Sequence, residues 1–235
     1  MLISLELITR PLPMIAISDT RYGKPLLSFI NLLQSVLTEE YQSSIKALKE
    51  KLLTGLVRFT NSKGVSYSDW RQITIGEIAI KKSSNISASS LEAEFGTFKI
   101  YGANGFLKNI SFYNEKEDYI AIVKDGAGVG RLSYCEAKSS VLGTLDIIKC
   151  QGATDLKFLY YLLSTIDFTK YITGSTIPHI YFRDYSVEVR LIPCLDEQKR
   201  ISEILSLVDK KILIERECLF QLVTQKKYFL NSLFK

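Results

Sequence analysis

DEQKRISEILSLVDKKILIERECLFQLVTQKKYFLNSL, residues Asp196–Leu233, is the stretch on which the fold turns. Ile201, Leu205, Val208, Ile212, Leu219, Leu222, Phe229 and Leu233 fall on an alternating 4-3 spacing, with Glu215 and Lys226 at two further seam positions. That is a heptad seam, narrower than the apolar stripe of a helix lying on a globular surface. No Pro or Gly interrupts it. The spacing predicts one helix of about 55 Å, at about 1.5 Å per residue. A helix of that length needs a partner helix along most of it.

The chain holds a candidate partner. Leu26, Ile30, Leu33, Leu37, Tyr41, Ile45, Leu48, Leu52 and Leu56 recur every three or four residues, and Pro25 sits at the first turn, where its missing N–H costs nothing. The two stretches also resemble each other. Phe29–Gln34 aligns with Ile204–Asp209, Leu52–Val57 with Phe229–Phe234, and Arg10–Pro13 echoes Arg190–Pro193. This is a long-range internal repeat. The helix-pairing interface is expected at Leu33, Leu37, Leu48, Leu52, Leu205, Val208, Ile212, Leu219 and Leu222.

Between the helices the pattern changes. Arg71–Ile75, Thr97–Tyr101, Tyr119–Lys124, Leu142–Lys149 and Ser186–Ile192 are short runs rich in Ile, Val, Tyr and Phe, bounded by turn residues, and read as strands. Asp155–Ser164 reads as a helix with Leu156, Leu159, Tyr160 and Leu163 on one face. The expected fold is α+β: an N-terminal extension (1–25), a first long helix (26–60), a mixed α/β domain (66–193) and a second long helix (196–234). The helices would pair as an antiparallel coiled-coil stalk with the domain inserted between them.

Composition bounds the chemistry. The 235 residues contain one histidine, His179, which excludes multi-His zinc or iron sites. Cys135, Cys150, Cys194 and Cys218 form no C-x-x-C pair and read as isolated thiols of a reducing cytoplasm. The N-terminal MLISLELITRPLPMIAI is apolar but broken by Glu6, Arg10, Pro11 and Pro13, so it reads neither as a membrane span nor as a signal peptide. A net charge of +5 permits a nucleic-acid partner without demanding one.

Several motifs bear on chemistry. Lys124–Gly130 follows a strand and carries Gly126, Gly128 and Gly130, which match neither a P-loop nor a dinucleotide fingerprint; the spacing is that of a tight turn. Asp125, Glu136 and Lys138 match the loose D…E-x-K pattern of Mg²⁺-dependent nucleases, in which two carboxylates hold the metal and the lysine steers water. Gly174-Ser175-Thr176 before Pro178-His179 is either a phosphate-binding loop or a satisfied turn. No Pro-Pro occurs, so the motif an aminomethyltransferase uses to hold its target amine is missing.

Trp70 with Ile75-Gly76-Glu77-Ile78, then Tyr101-Gly102-Ala103-Asn104-Gly105, Asp118-Tyr119-Ile120 and Lys124-Asp125-Gly126-Ala127 follow in a telling order. Phe158–Leu163, Gly174–Pro178, and Ile192-Pro193 leading to Glu197-Gln198-Lys199-Arg200-Ile201 complete it. Together they resemble the target recognition domain and following helix of type I restriction–modification specificity subunits, over roughly Pro25 to Phe234. The resemblance implies a non-catalytic subunit that reads double-stranded DNA through its recognition domain and docks type I methyltransferase (modification) subunits on its helices. Restriction subunits complete the assembly. S-adenosylmethionine, ATP and Mg would belong to those partners, with no cofactor, metal or catalytic residue here. A full subunit of that family has two recognition domains, so this chain reads as a half-length form, either pairing its helices internally or forming a homodimer with a bipartite palindromic target.

DNA reading requires donors and acceptors aimed at base edges, and cations at phosphates. Three loops offer them: Tyr101 and Asn104 in the first, where an amide could meet adenine; Lys124 and Arg131 in the second; Ser175, Thr176, His179 and Arg183 in the third. Lys81, Lys82 and Lys108 are further candidate phosphate contacts. Two alternatives stay open: a Mg-dependent DNA endonuclease using Asp125, Glu136 and Lys138, and a helical scaffold with no DNA role.

Overall fold

The computed structural model describes residues 43–61 and 63–233, and the side chains of these except at 219, 222, 223 and 225–233. The chain divides into two compact units, Met1–Ala47 and Leu48–Lys235. The N-terminal extension and most of the first expected helix, with Leu33 and Leu37, lie outside the described residues. Residues 43–53 are helical (α1). The helix stops short of the expected boundary at 60, because Gly55 takes φ +76° and turns the chain, its bare Cα lying against the Trp70 indole. Leu56, placed on the expected seam, is therefore outside the helix and exposed.

The order from there is β1 (Arg71–Thr74), α2 (Ile75–Ile78), β2 (Ala79–Ser83), β3 (Phe98–Gly102), β4 (Gly105–Ile110), β5 (Tyr119–Val123), β6 (Leu132–Cys135), β7 (Ser139–Val141) and β8 (Leu145–Cys150). Then come α3 (Leu156–Leu163), α4 (Phe182–Tyr185), β9 (Val189–Ile192) and α5 (Leu195–Leu233). The strands form a four-stranded sheet β2-β8-β5-β6, a three-stranded sheet β4-β3-β7 and a β1-β9 pair.

β5 explains the layering. Every residue of Tyr119-Ile-Ala-Ile-Val123 is buried, because the strand is covered on both faces. Ile120 and Ile122 point into a core shared with Phe158, Leu159 and Leu162 of α3 and with Ile201 and Leu205 of α5. Tyr119, Ala121 and Val123 point the other way, into a second core with Val141 and the half-buried Tyr101 and Leu142. Helices thus cover one face of the main sheet and the second sheet covers the other, a mixed α/β architecture as the sequence predicts. Burial pushes the Cys135 thiol up to about 12, so it is an inert core residue.

A buried carboxylate anchors α5. Glu197, fully buried in its first turn, accepts from Trp70 Nε1 (3.1 Å), from Arg58 Nη2 (3.0 Å) and from the Phe59 amide (3.3 Å). The hydrogen bond to Glu197 holds the Arg58 pKa above its ordinary value. Next to it the buried Gln198 accepts from the Asp155 amide and donates to the Pro193 carbonyl, both at 3.0 Å, which ties the start of α3 to the start of α5. Asp155 in turn caps α3 by accepting from the Phe158 amide. About three turns further along, Lys49 and Tyr161 both meet Asp209 at 2.8 Å. Of the seam positions, Leu52 and Leu205 are buried, Val208 and Ile212 half-buried and Leu48 at the edge of exposure; the side chains of Leu219 and Leu222 lie outside the described set. The first two turns of the seam thus pack on α3 as well as on Leu52 and Leu53.

Candidate nucleic-acid interface

The second loop is the hub. The chain leaves β5 at Val123 and returns to β6 at Arg131, the two residues exchanging backbone hydrogen bonds with each other's neighbourhood (Val123 N to Arg131 O, 3.0 Å; Gly130 N to Val123 O, 2.8 Å). Gly126, Gly128 and Gly130 all have positive φ, from +83° to +91°. This is the conformational freedom that the turn reading of these glycines requires.

The third loop docks on one edge of this turn. Gly126 N donates to Pro178 O (2.9 Å) and Ile180 N to Lys124 O (3.0 Å), and His179 Nδ1 lies 3.6 Å from the Asp125 carboxylate. Thr173 and His179 exchange both backbone hydrogen bonds at 2.8 Å, which closes Gly174–Pro178 into a tight excursion. Gly174 has φ +85°, and a Cβ there would sit 2.5 Å from the Ile177 carbonyl.

The first loop docks on the other edge. Arg131 Nη1 donates to Ala103 O (2.9 Å) and to Asn104 Oδ1 (2.7 Å) in the β3–β4 turn. The structure therefore brings all three sequence-predicted loops together, one continuous polar rim whose bridging bonds join residues 28 and 27 positions apart on one edge (Arg131 to Ala103 and Asn104) and Gly126 to Pro178 on the other.

Within the rim the predicted residues differ in presentation. Asn104, Arg131, Ser175, Thr176 and Arg183 are exposed. His179 is partly covered. Tyr101 is not presented with Asn104: it packs into the second core, and burial holds its phenol pKa above the ordinary value. Lys124 leans on the buried Asp146 at 3.3 Å, which Ser83 also contacts. Lys124, Asp125 and Asp146 line a cavity of about 520 Å³ with Lys81, Tyr181, Phe182 and Arg183. Arg183 stacks over the exposed Tyr181 ring at 5.1 Å. Lys82 is committed to buried Glu115, and Lys108 to the Leu91 carbonyl and the face of Phe95. Sequence reasoning missed Tyr181 and the apolar Ile177 at the loop tip, both exposed; two exposed apolar side chains flanking Pro178-His179 were the available signal.

The nuclease alternative fails on geometry. β5 and β6 run antiparallel, with Tyr119 opposite Cys135 and Ile122 opposite Leu132. Asp125 lies past one end of this hairpin and Glu136 past the other, about 20 Å away at roughly 3.3 Å per residue. Glu136 instead pairs with Lys99 at 2.7 Å. Among the described residues no three His, Cys, Asp or Glu side chains are grouped to hold a metal ion.

The domain thus joins a layered α/β fold, and a long helix anchored by buried polar residues, to a rim of loops carrying exposed donors. The family model for the type I restriction modification DNA specificity domain matches residues 67–223. The chain belongs to that family. Its fold is similar to the crystal structure of a type I restriction-modification S subunit from M. genitalium, at 20% identity and TM-score 0.61 over 87% of this chain and 57% of that one. It is also similar to a structure solved for the complex assembly and conformational transition of the type I R-M system (15% identity, TM-score 0.63, 89% of this chain and 55% of that one). The HsdS subunit from Thermoanaerobacter tengcongensis matches at 15% identity and TM-score 0.51, over 84% of this chain and 51% of that one. The chain thus spans little more than half the length of these structures. No curated protein sequence matches it.

Proposed function

We propose that this chain is a DNA sequence-recognition subunit of a type I restriction–modification complex, and that the rim formed by residues 103–105, 124–131 and 173–183 is the surface that meets double-stranded DNA. The observation that carries this reading is the convergence of the three loops, held edge to edge by Arg131 and by the Gly126–Pro178 pairing, with Asn104, Arg131, Ser175, Thr176 and Arg183 left exposed. Affinity comes from the exposed cation Arg183 against phosphates, and specificity from side-chain donors in the major groove. His179 holds the third loop to the second. The chain itself is non-catalytic; methylation, translocation and cleavage, with S-adenosylmethionine, ATP and Mg²⁺, belong to partner subunits. No helix among the described residues is long and apolar enough to cross a membrane. As a reader of cellular DNA the chain would act in the cytoplasm.

The helices serve the assembly. α1 and α5 form an antiparallel stalk, and methyltransferase subunits dock on the outward face of α5, where Leu207, Leu213, Ile214 and Phe220 are exposed. Large apolar side chains left in water along one helix are the ordinary sign of a protein partner.

The test is binding of the full chain, alone and with a type I methyltransferase subunit, to a random-sequence duplex library. The expected result is recovery of a sequence motif, with affinity that falls steeply as salt rises. Recovery without any sequence preference overturns the recognition role, and Mg²⁺-dependent cleavage by the purified chain overturns the non-catalytic one. Light scattering of the chain alone should give 26.7 kDa; twice that mass would assign the α5 face to a second copy instead.

A further inference from the structure

We infer that Asn104 and Arg131 act as one donor-only unit that selects guanine in the major groove. The inference rests on the rim being the DNA-facing surface, and it names what one part of that surface reads.

The guanidinium of Arg131 is fixed before any ligand arrives. Its Nη1 donates to two acceptors in the first loop, the Ala103 carbonyl at 2.9 Å and Asn104 Oδ1 at 2.7 Å. Below it lies the bare Cα of Gly128: a Cβ there would come within 3.2 Å of both Cζ and Nη2 of Arg131. Gly128 also has φ +91°, which a side chain rarely adopts. Gly128 therefore leaves room for the guanidinium where a side chain would crowd it.

This arrangement decides what points outward. A guanidinium only donates, so the Asn104 amide must turn its oxygen to Arg131 and its NH₂ away. Arg131 Nε and Nη2 make no hydrogen bond with the described residues, and both side chains are exposed. The outward edge of the pair is then Nε–H, Nη2–H and the Asn104 NH₂, donors throughout. In the major groove guanine offers two acceptors, N7 and O6, at the spacing of an arginine fork. Adenine and cytosine each place an amino group there, which would set donor against donor, and thymine offers one acceptor beside a methyl. The usual asparagine–adenine contact needs the amide oxygen as well as the NH₂, and here that oxygen is engaged. The pair therefore favours guanine both by matching it and by rejecting adenine.

A phosphate would also satisfy an arginine fork, and the experiment separates the two. Random-duplex selection is run with the full chain and with Arg131→Ala and Asn104→Ala. The expected wild-type motif contains a guanine whose preference drops about 5- to 100-fold in Arg131→Ala while other positions hold. Asn104→Ala, which removes a positioning contact, gives a smaller drop at the same base. The wild-type chain is then tested on its motif with that guanine replaced by 7-deazaguanine, which lacks the N7 acceptor. Weakened binding supports the inference and needs no variant to fold. An equal loss on all sequences in Arg131→Ala, with a salt slope shallower by about one ion, assigns the fork to a phosphate and overturns it. A wild-type motif indifferent to 7-deazaguanine overturns it too. If the wild-type chain recovers no motif at all, the DNA-reading rim itself fails, and the inference with it.

Discussion

Two regions of this molecule gather polar side chains from distant parts of the chain, and they treat them in opposite ways. At the start of α5 a single carboxylate, Glu197, is buried and meets donors from three residues, and neighbouring Gln198 uses both ends of its amide. In the loop rim, Arg131 spends one nitrogen on the neighbouring turn and leaves the rest outward, and Asn104, Ser175, Thr176 and Arg183 stand exposed. Buried polar groups cost free energy unless every one is matched, so a saturated cluster reads as construction. A preorganised but unsaturated one reads as recognition. Glu197 and Gln198 belong to the most recognisable string in the sequence, and the structure uses that string to fasten the helix to the domain.

The sharpest way to break the contrast is Glu197→Ala. It leaves the Trp70 indole N–H and the Phe59 amide without their acceptor, while Arg58 keeps the Ser68 carbonyl at 2.6 Å. Leaving buried donors unmatched costs about 1–3 kcal/mol. Chemical denaturation should show that fall in stability. A loss below about 1 kcal/mol would mean that the junction is wet and that the two regions are alike. Variants of Arg131 should instead leave the denaturation midpoint nearly unchanged, since the residue is exposed.

How much of this was legible in the sequence depends on the range of the interaction. α5 begins within a residue of its expected start because a heptad seam and helix propensity are local signals. β5 was legible because a short run rich in Ile, Val and Tyr, bounded by Asp118 and the Gly-rich turn, reads as a strand. β2 (AIKKS) and β7 (SSV) carried no signal. β2 is an edge strand, exposed but for Ala79, and β7 is three residues long, its place set by parallel pairing with β3. The helix α3 was found, but its buried side is wider than one face: Phe158, Tyr161 and Leu162 are buried too, because the sheet and α5 enclose it together. In the rim, glycines marked all three loops, but not that Arg131 bridges 27 residues to Asn104. The Asp125, Glu136 and Lys138 pattern shows the converse. Residues close in sequence were thrown to opposite ends of a hairpin.

A second test concerns acid. Glu115 is buried beneath Lys149 and Lys82, both at 2.5 Å. Burial pushes its pKa up, but the two ammonium groups outweigh that and hold the carboxyl below its ordinary 4.5. A depressed folded-state value contributes stability above the unfolded pKa and loses it as pH falls through the folded one. Glu77 and Glu188 are shifted the same way, by Thr74 and by Tyr171 with Arg190. The melting temperature should therefore fall as pH drops below about 4.5. Glu115→Gln should lower it at neutral pH and reduce the slope below 4.5. An unchanged slope would show that the surface carboxylates carry the acid response instead.

The smallest expected effect probes the one place where the contrast is imperfect. Tyr185, at the end of α4 and two residues from exposed Arg183, is buried, and its hydroxyl has no partner among the described residues. The ring itself is well held, edge-on to Phe168 at 5.2 Å and Phe182 at 5.3 Å. Desolvation raises the phenol pKa, so the group stays neutral. An unmatched buried hydroxyl costs about 1–3 kcal/mol, and Tyr185→Phe removes it while leaving the ring packing, at the expense of a void of one oxygen. The balance predicts a variant that is unchanged or up to about 1 kcal/mol more stable in chemical denaturation. A loss of more than about 1 kcal/mol would mean the hydroxyl is matched after all, by a buried water bridging it to the polar floor at Asp146 and Ser83. In that case the saturated style of the Glu197 junction extends beneath the rim, and the loops rest on a polar base as fully matched as the helix anchor.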